Sequence, residues 1–417
     1  MMTKYKIFSV IILLSLSYTY GQGLTSNERK LIRQSAANIE VDSLYENGNW
    51  SQLLKQIKNK RIVLLGEFNH GSKEVYLSRN DLIKNLHEKL GFDVILFESG
   101  LGELAPMDIY RQKLSAQYMT VGLIGGWRTL EFENLMEYIK IKDISISGFD
   151  VQRSGGAFER FFEIVLKSKS IDTGLSRNLE NRFNNIKKRL SSNTVPFDSI
   201  QHSTLSLIED YSRLQNLLVS ELNTEFDKKL VLAKKTITNR ITFLKYQLDF
   251  KNDKNWSKRW KARDLAMAEN IEWLIESLYP NRKIIIIGHN FHIAKYNENE
   301  EVMGEFLKRS YNADMYSIGV FAKAGNYFDN SGREKKMSPP DSKRLDIKHV
   351  INNLDGNLNF LDIHSQSKKG FNWLFKKLII NDTFIDLSNS NEMVLSKHFD
   401  GLLLLNSVST PKKIAWD

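Results

Sequence analysis

Residues 61–71 read RIVLLGEFNHG. Ile62, Val63, Leu64 and Leu65 are apolar at every position rather than at alternate ones, which describes a strand covered on both faces. A glutamate, Glu67, follows the run directly, and His70 stands three residues further on. Reading onward, Tyr76, Leu77, Leu82, Ile83, Leu86 and Leu90 recur at helical spacing, and Gly91 is placed to stop that helix. Residues 93–97 (DVILF) then repeat the buried-strand pattern. Strand, helix and strand in that order make one βαβ unit, whose crossover is expected to be right-handed.

The same short apolar runs return at 144–149 (ISISGF), 283–288 (KIIIIG), 315–320 (MYSIGV), 358–362 (LNFLD) and 401–405 (GLLLL). The expected fold class is therefore α/β, a three-layer α/β/α core with a mainly parallel sheet. A long helical insertion interrupts it over about 156–261. From 203 to 250 the apolar positions Leu207, Tyr211, Leu214, Leu218, Leu222, Phe226, Leu230, Ile237, Ile241, Leu244 and Leu248 keep helix periodicity, with little Gly or Pro between them. Such a pair of helices could fold back as a lid, or serve as an arm through which an oligomer forms. Residues 326–341 (NYFDNSGREKKMSPPD) read as the one long loop.

The chain has 417 residues, with 41% hydrophobic and 26% charged side chains, ample for a full core. The formal charge of +10 is dispersed; no Lys/Arg block, aromatic-plus-basic signature or zinc-finger spacing points to nucleic acid. At the N-terminus, Lys4 and Lys6 precede an apolar run over 7–16 and then a small, polar stretch ending at Gly21. This is the layout of an export signal over residues 1–21, and the run is short for a membrane span. A secreted or periplasmic protein of residues 22–417, with no membrane span, is expected. The absence of cysteine excludes disulfides, thiol catalysis and thiolate metal sites.

Chemistry is expected where rare polar side chains follow strands. Glu67 and His70 follow the first run and Glu98 ends the second; Asp150 follows ISISGF, and His289 and His292 follow KIIIIG. In a parallel sheet all these strand ends share one edge, where ligands bind. Each residue also has a plainer reading: Asp150 as the cap of a following helix, Glu98 or Arg79 as half of an ion pair. No G-x-S-x-G elbow is present. Without cysteine or a placed serine, water activated directly by a histidine is the economical mechanism. Two histidines with carboxylates would also make a workable zinc set, although E-x-x-H and H-x-x-H on strand-end loops are weak signals for it.

The ordered motifs resemble those of the erythromycin esterase family. The opening L-G-E-x-x-H-G is found at Leu65–Gly71, with Arg79 on the next helix; residues 91–98 (GFDVILFE) follow. Then come Trp127-Arg128-Thr129 with Glu131, Gly148-Phe149-Asp150, Arg263-Asp264, His289-Asn290-Phe291-His292, Met303-Gly304-Glu305 and Phe399-Asp400, so that the likeness spans about residues 61–410. The resemblance implies hydrolysis of an ester or lactone, the ring ester of a macrolide in the family's named members, with no cofactor, metal or serine nucleophile. It implies His70 as the base, with Glu67, Glu98 and His289 in the catalytic set, and Arg79, His292, Trp127 and Asp150 binding the substrate. Phe68-Asn69 and Phe291 stand where the family more often has smaller residues, so the pocket is expected to differ in shape.

Overall fold

The computed structural model describes residues 23–42, 45–220, 227–388 and 391–415. The leader expected over residues 1–21 lies outside them. Among the described residues there are eleven strands: β1 (Ala37–Asn38), β2 (Ile62–Leu65), β3 (Phe92–Gly100), β4 (Ser145–Asp150), β5 (Lys283–Ile287), β6 (Met315–Phe328), β7 (Glu334–Lys336), β8 (Leu358–Asp362), β9 (Leu378–Ile379), β10 (Glu392–Met393) and β11 (Gly401–Val408). Nine of them form one sheet in the order β1-β8-β11-β6-β2-β5-β3-β4, with β7 paired to β6; β9 and β10 pair separately. The run from β11 to β4 is parallel throughout, whereas β8, β1 and β7 are antiparallel to their partners.

Unbroken apolarity in the central strands is explained by two separate cores. Ile62, Leu64, Val94, Leu96, Ile284 and Ile286 pack on one side of the sheet with Met267, Ile271 and Leu307. Val63, Leu65, Ile95, Phe97, Ile285 and Ile287 pack on the other with Leu82, Ile83 and Phe132. Side chains alternate across a strand, so a strand sandwiched between helix layers needs apolar residues at every position. The architecture is thus α/β/α. Gly91 ends the helix Lys73–Leu90 in the left-handed conformation, φ 74°, with its N–H turned back to the His87 carbonyl. Glycine takes that conformation without the steric penalty a Cβ would bring.

Among the described residues, no strand lies between β4 and β5. Helices Ala157–Ser168, Gly174–Ser191, Asp198–Ser220, Lys228–Asp253 and Trp256–Trp273 fill the interval. Leu207, Tyr211, Leu214, Leu218, Leu230, Ile237, Leu244 and Leu248 are buried against Phe158, Phe161, Phe183 and Ile186 of the neighbouring helices. Leu222 and Phe226 fall outside the described residues. The stripe read from the sequence is therefore covered largely within this chain. Arg240, fully buried, ties this helical part to the core. It donates to Glu180 (3.2 Å) on one helix and to Glu103 (2.9 Å) on the helix after β3.

The expected loop over 326–341 is in part a hairpin. β6 continues to Phe328 and pairs with β7, Asn326 opposite Lys336 and Phe328 opposite Glu334. The Asp329 carboxylate closes the turn by accepting from the backbone N–H groups of Ser331 (2.9 Å) and Arg333 (3.0 Å). β7 is exposed along its length, so it carries no apolar stripe to announce it.

Candidate active site

Because β2, β3, β4 and β5 are parallel and in register, their C-terminal ends form a row. Leu65 and Phe97 both pair with Ile287, and Gly100 pairs with Asp150. The residues just beyond these positions are Glu67 after β2, Glu98 and Asp150 at the ends of β3 and β4, and His289 after β5. Asn290 fastens the loops together. Its N–H donates to the Glu67 carbonyl (2.8 Å), and its side-chain amide exchanges hydrogen bonds with the backbone of Val320 in β6.

Glu67 is fully buried and has three partners. Its Oε1 receives the Trp127 indole N–H (2.8 Å) and lies against His70 Nδ1; its Oε2 receives Arg79 Nη1 (2.9 Å). Burial by itself would push its carboxyl upward, but Arg79 and then His70 outweigh that and hold it below the ordinary carboxylate value. His70 is 18% exposed, and among the described residues its Nε2 has no hydrogen-bond partner. Burial disfavours the imidazolium, yet the hydrogen bond and charge of Glu67, helped by Glu98, raise its proton affinity above the usual 6.5.

His289 sits with its ring centroid 5.4 Å from that of His70. Both of its ring nitrogens are engaged by backbone. Nδ1 accepts from the Phe291 N–H (3.2 Å), which leaves the proton on Nε2 to donate to the Phe68 carbonyl (3.0 Å). Burial, followed by the neighbouring His70 charge, lowers its pKa to about 4. With no spare donor, His289 here steadies the 67–70 loop rather than offering a hydrogen bond to a substrate.

A second cluster lies beside the first. Arg263 Nη2 donates to Asp150 Oδ2 (2.6 Å) and Glu98 Oε1 (3.1 Å), and its Nη1 donates to His292 Nε2 (3.0 Å). His292 Nδ1 donates in turn to Asp264 Oδ1 (2.7 Å). Glu98 Oε2 accepts from the His289 N–H (2.8 Å). Burial would raise the Glu98 carboxyl, but its surroundings, the Arg263 guanidinium and the His289 N–H among them, hold it far below the carboxylate range. Asp150 caps no helix; its carboxylate is taken by Arg263 and by the Gln152 N–H (2.9 Å).

A cavity of about 540 Å³ opens on these groups. His70, Glu98, Asp150, Arg263, His289 and His292 line it, with Trp260, Phe291 and Phe384 as an aromatic wall and Asn330 at the hairpin tip. Arg79 and Trp127, expected among the substrate-binding groups, do not. They are 3% and 0% exposed and stand behind Glu67, with the Arg79 guanidinium 5.5 Å from the Trp127 ring. The correction has a simple cause, since a buried carboxylate needs its counter-charge and donors on the side away from water. Arg263 is the residue whose place sequence reasoning missed. It stands in the middle of a helix, 113 residues from its partner Asp150, and only its position in the ordered motifs marked it.

The arrangement also bears on metal binding. Among the described residues, no group of three or more His, Asp or Glu side chains is gathered to hold an ion. Glu67 and Glu98 already face arginines, and His289 is saturated by backbone.

The pocket is tightly bounded around His70. A Cβ on Gly126 would stand 2.6 Å from the His70 carbonyl oxygen and 3.0 Å from its Cβ. One on Gly71 would run into the backbone of Phe328.

The family model of erythromycin esterase matches residues 87–408. The chain belongs to the erythromycin esterase family. Family membership supports a hydrolase. The YbfO protein of Bacillus subtilis, whose name assigns it provisionally to the hydrolases, is 27% identical over 396 residues, 87% of this chain and 86% of that one. Erythromycin esterase type II of Escherichia coli is 25% identical over 310 residues, covering 67% of this chain and 73% of the other. Among solved structures, a point variant of the erythromycin esterase EreC in its open conformation superposes with a TM-score of 0.64 at 16% identity. The superposition covers 92% of this chain and all of that one (100%), and it establishes the shared α/β fold. The match to the family model begins after Glu67, His70 and Arg79, and includes Glu98, Asp150, Arg263, His289 and His292.

Proposed function

We propose that the chain hydrolyses a carboxylic ester or lactone by direct attack of a water that His70 deprotonates. The observation that carries the reading is the division of labour on one ring. His70 Nδ1 is fixed on a buried carboxylate, while Nε2 is free at the cavity wall. A water at Nε2 gives its proton to the imidazole as its oxygen attacks the substrate carbonyl. Glu67 holds the tautomer and stabilises the imidazolium, and the proton then passes to the departing alkoxide. Arg263 is the charged donor on the cavity wall, with one Nη1 N–H beyond those its partners occupy, and it is suited to meet the developing oxyanion.

The reading extends to location. Lys4, Lys6 and the apolar run over 7–16 support a cleaved leader and a mature chain that begins near Gln22, outside the cytoplasm. No helix among the described residues is long and apolar enough to cross a membrane.

The test is a panel of aryl, alkyl and lactone esters assayed with and without chelator. Hydrolysis that survives chelation and is lost in His70→Ala, with the circular dichroism unchanged, is expected. Activity that chelator removes, or that His70→Ala retains, overturns the mechanism. A mass for the periplasmic protein that still includes residues 1–21 overturns the processing.

A further inference from the structure

A second cavity, of about 680 Å³, opens between the helix Leu101–Ile109 with the turns that follow it and the helix Ala157–Ser168. It shares no lining residue with the His70 cavity. Its size falls in the range of roughly 300–1,000 Å³ typical of small-molecule sites. Buried Met107 and Phe161 form its floor. Tyr118 and Ile164, on separate elements, face it while 48% and 41% exposed. Apolar side chains from two elements converging on a concave surface are a mark of a ligand site rather than of scattered surface residues.

Charge is distributed to match. Lys113 and Arg160 stand in the lining, both exposed, and among the described residues neither side chain has an ion-pair or hydrogen-bond partner. Not one carboxylate lines the cavity. By contrast, the buried or half-buried Arg79, Arg111, Arg153, Arg240 and Arg263 are each paired with acids. An apolar floor with two unpaired cations and no acid suits an anion that carries an aliphatic body.

The wall between the two cavities is fixed. Gln152, Arg153 and Ser154 face the His70 side, and Gly156 and Ala157 face the groove. Arg128 laces this segment to the one before it, donating to the carbonyls of Ser154 (2.6 Å) and Val121 (3.1 Å), and Ser154 Oγ donates to the Gly122 carbonyl (2.7 Å). A molecule in the groove is therefore separate from a substrate at His70.

We propose that this groove is a second binding site, specific for a free fatty-acid-like anion. The aliphatic chain lies along Met107, Phe161 and Ile164, and the carboxylate meets Lys113 and Arg160. The site needs no catalysis, so it stands whether or not His70 acts as a base.

Calorimetric titration of the full chain with dodecanoate, kept below its micelle concentration, tests this. Saturable binding at one site per chain is expected. Affinity should fall at least about tenfold for dodecan-1-ol, and by a similar factor for dodecanoate on the double variant Lys113→Gln/Arg160→Gln, the loss of a charge-assisted hydrogen bond. Ile164→Asp should abolish binding, and Phe384→Ala, in the His70 cavity, should leave it unchanged. Three results overturn the proposal: no saturable uptake; uptake indifferent to the double variant; or uptake lost in Phe384→Ala. Attachment to phosphatidylglycerol vesicles without uptake of monomeric dodecanoate overturns it as well.

Discussion

His70 and His289 face each other at 5.4 Å between ring centroids, and their surroundings pull their proton affinities in opposite directions. Glu67 draws a proton to His70. Burial and the nearby His70 charge keep one off His289, whose pKa is lowered to about 4. The pair thus carries at most one positive charge near neutrality, and that charge sits on the ring that opens to the cavity.

In the proposed mechanism His70 works only when deprotonated, so its raised pKa should move the acid limb of kcat/KM above the ordinary 6.5. Glu67→Gln removes the charge that raises it. The limb should shift to lower pH while the plateau falls by about 10²-fold or more. A pH–rate profile of the two proteins checks both changes. An upward shift in the variant would contradict the pairing.

Arg79 supports Glu67 from behind and does not line the cavity. Arg79→Met should therefore lower kcat by about 10- to 100-fold through misplacement of the base, with KM little changed. Steady-state kinetics on one ester separates the two parameters. A large rise in KM at constant kcat would instead put Arg79 on the substrate.

The folded-state pKa of His289 lies below its value in the unfolded chain, about 6.5. Its contribution to stability is complete above that value and is lost as pH falls toward about 4. The total is about 3 kcal/mol, because each tenfold difference in proton affinity between the folded and unfolded chain corresponds to roughly 1.4 kcal/mol. His70, displaced the other way, favours folding below 6.5 and loses that contribution as pH rises through its folded value. Denaturant titrations across about pH 4.5–7.5 should show the acid-side loss shrink in His289→Gln.

Arg263→Met leaves Glu98 and Asp150 buried together without their cation. A loss of about 3–5 kcal/mol is expected. Adding Glu98→Gln and Asp150→Asn should restore part of it, because the repulsion is removed. Equilibrium unfolding of the single and triple variants measures the difference.

Much of this arrangement was legible in the residue order. Continuous apolar runs such as Ile62–Leu65 and residues 284–287 identify strands between two helix layers, and Gly91 punctuates the first unit. Polar residues just past those runs lie on one edge because parallel strands end together. What was not legible depends on direction and distance. Arg79 and Arg263 both read as arginines on helices; only the packed chain puts one behind Glu67 and the other on the cavity wall. β7 and the two-residue strands β1, β9 and β10 are too short or too exposed for periodicity to register. The whole of the Arg240 cluster joins residues as far as 137 positions apart, a separation that no local pattern carries.

Gly71 and Gly126 leave no room for even a methyl group beside His70. New specificity in this scaffold, whether by natural drift or in the laboratory, is therefore channelled away from that flank. Phe384, 38% exposed, and Asn330 also line the cavity, so libraries aimed at altered substrates start best from those two codons.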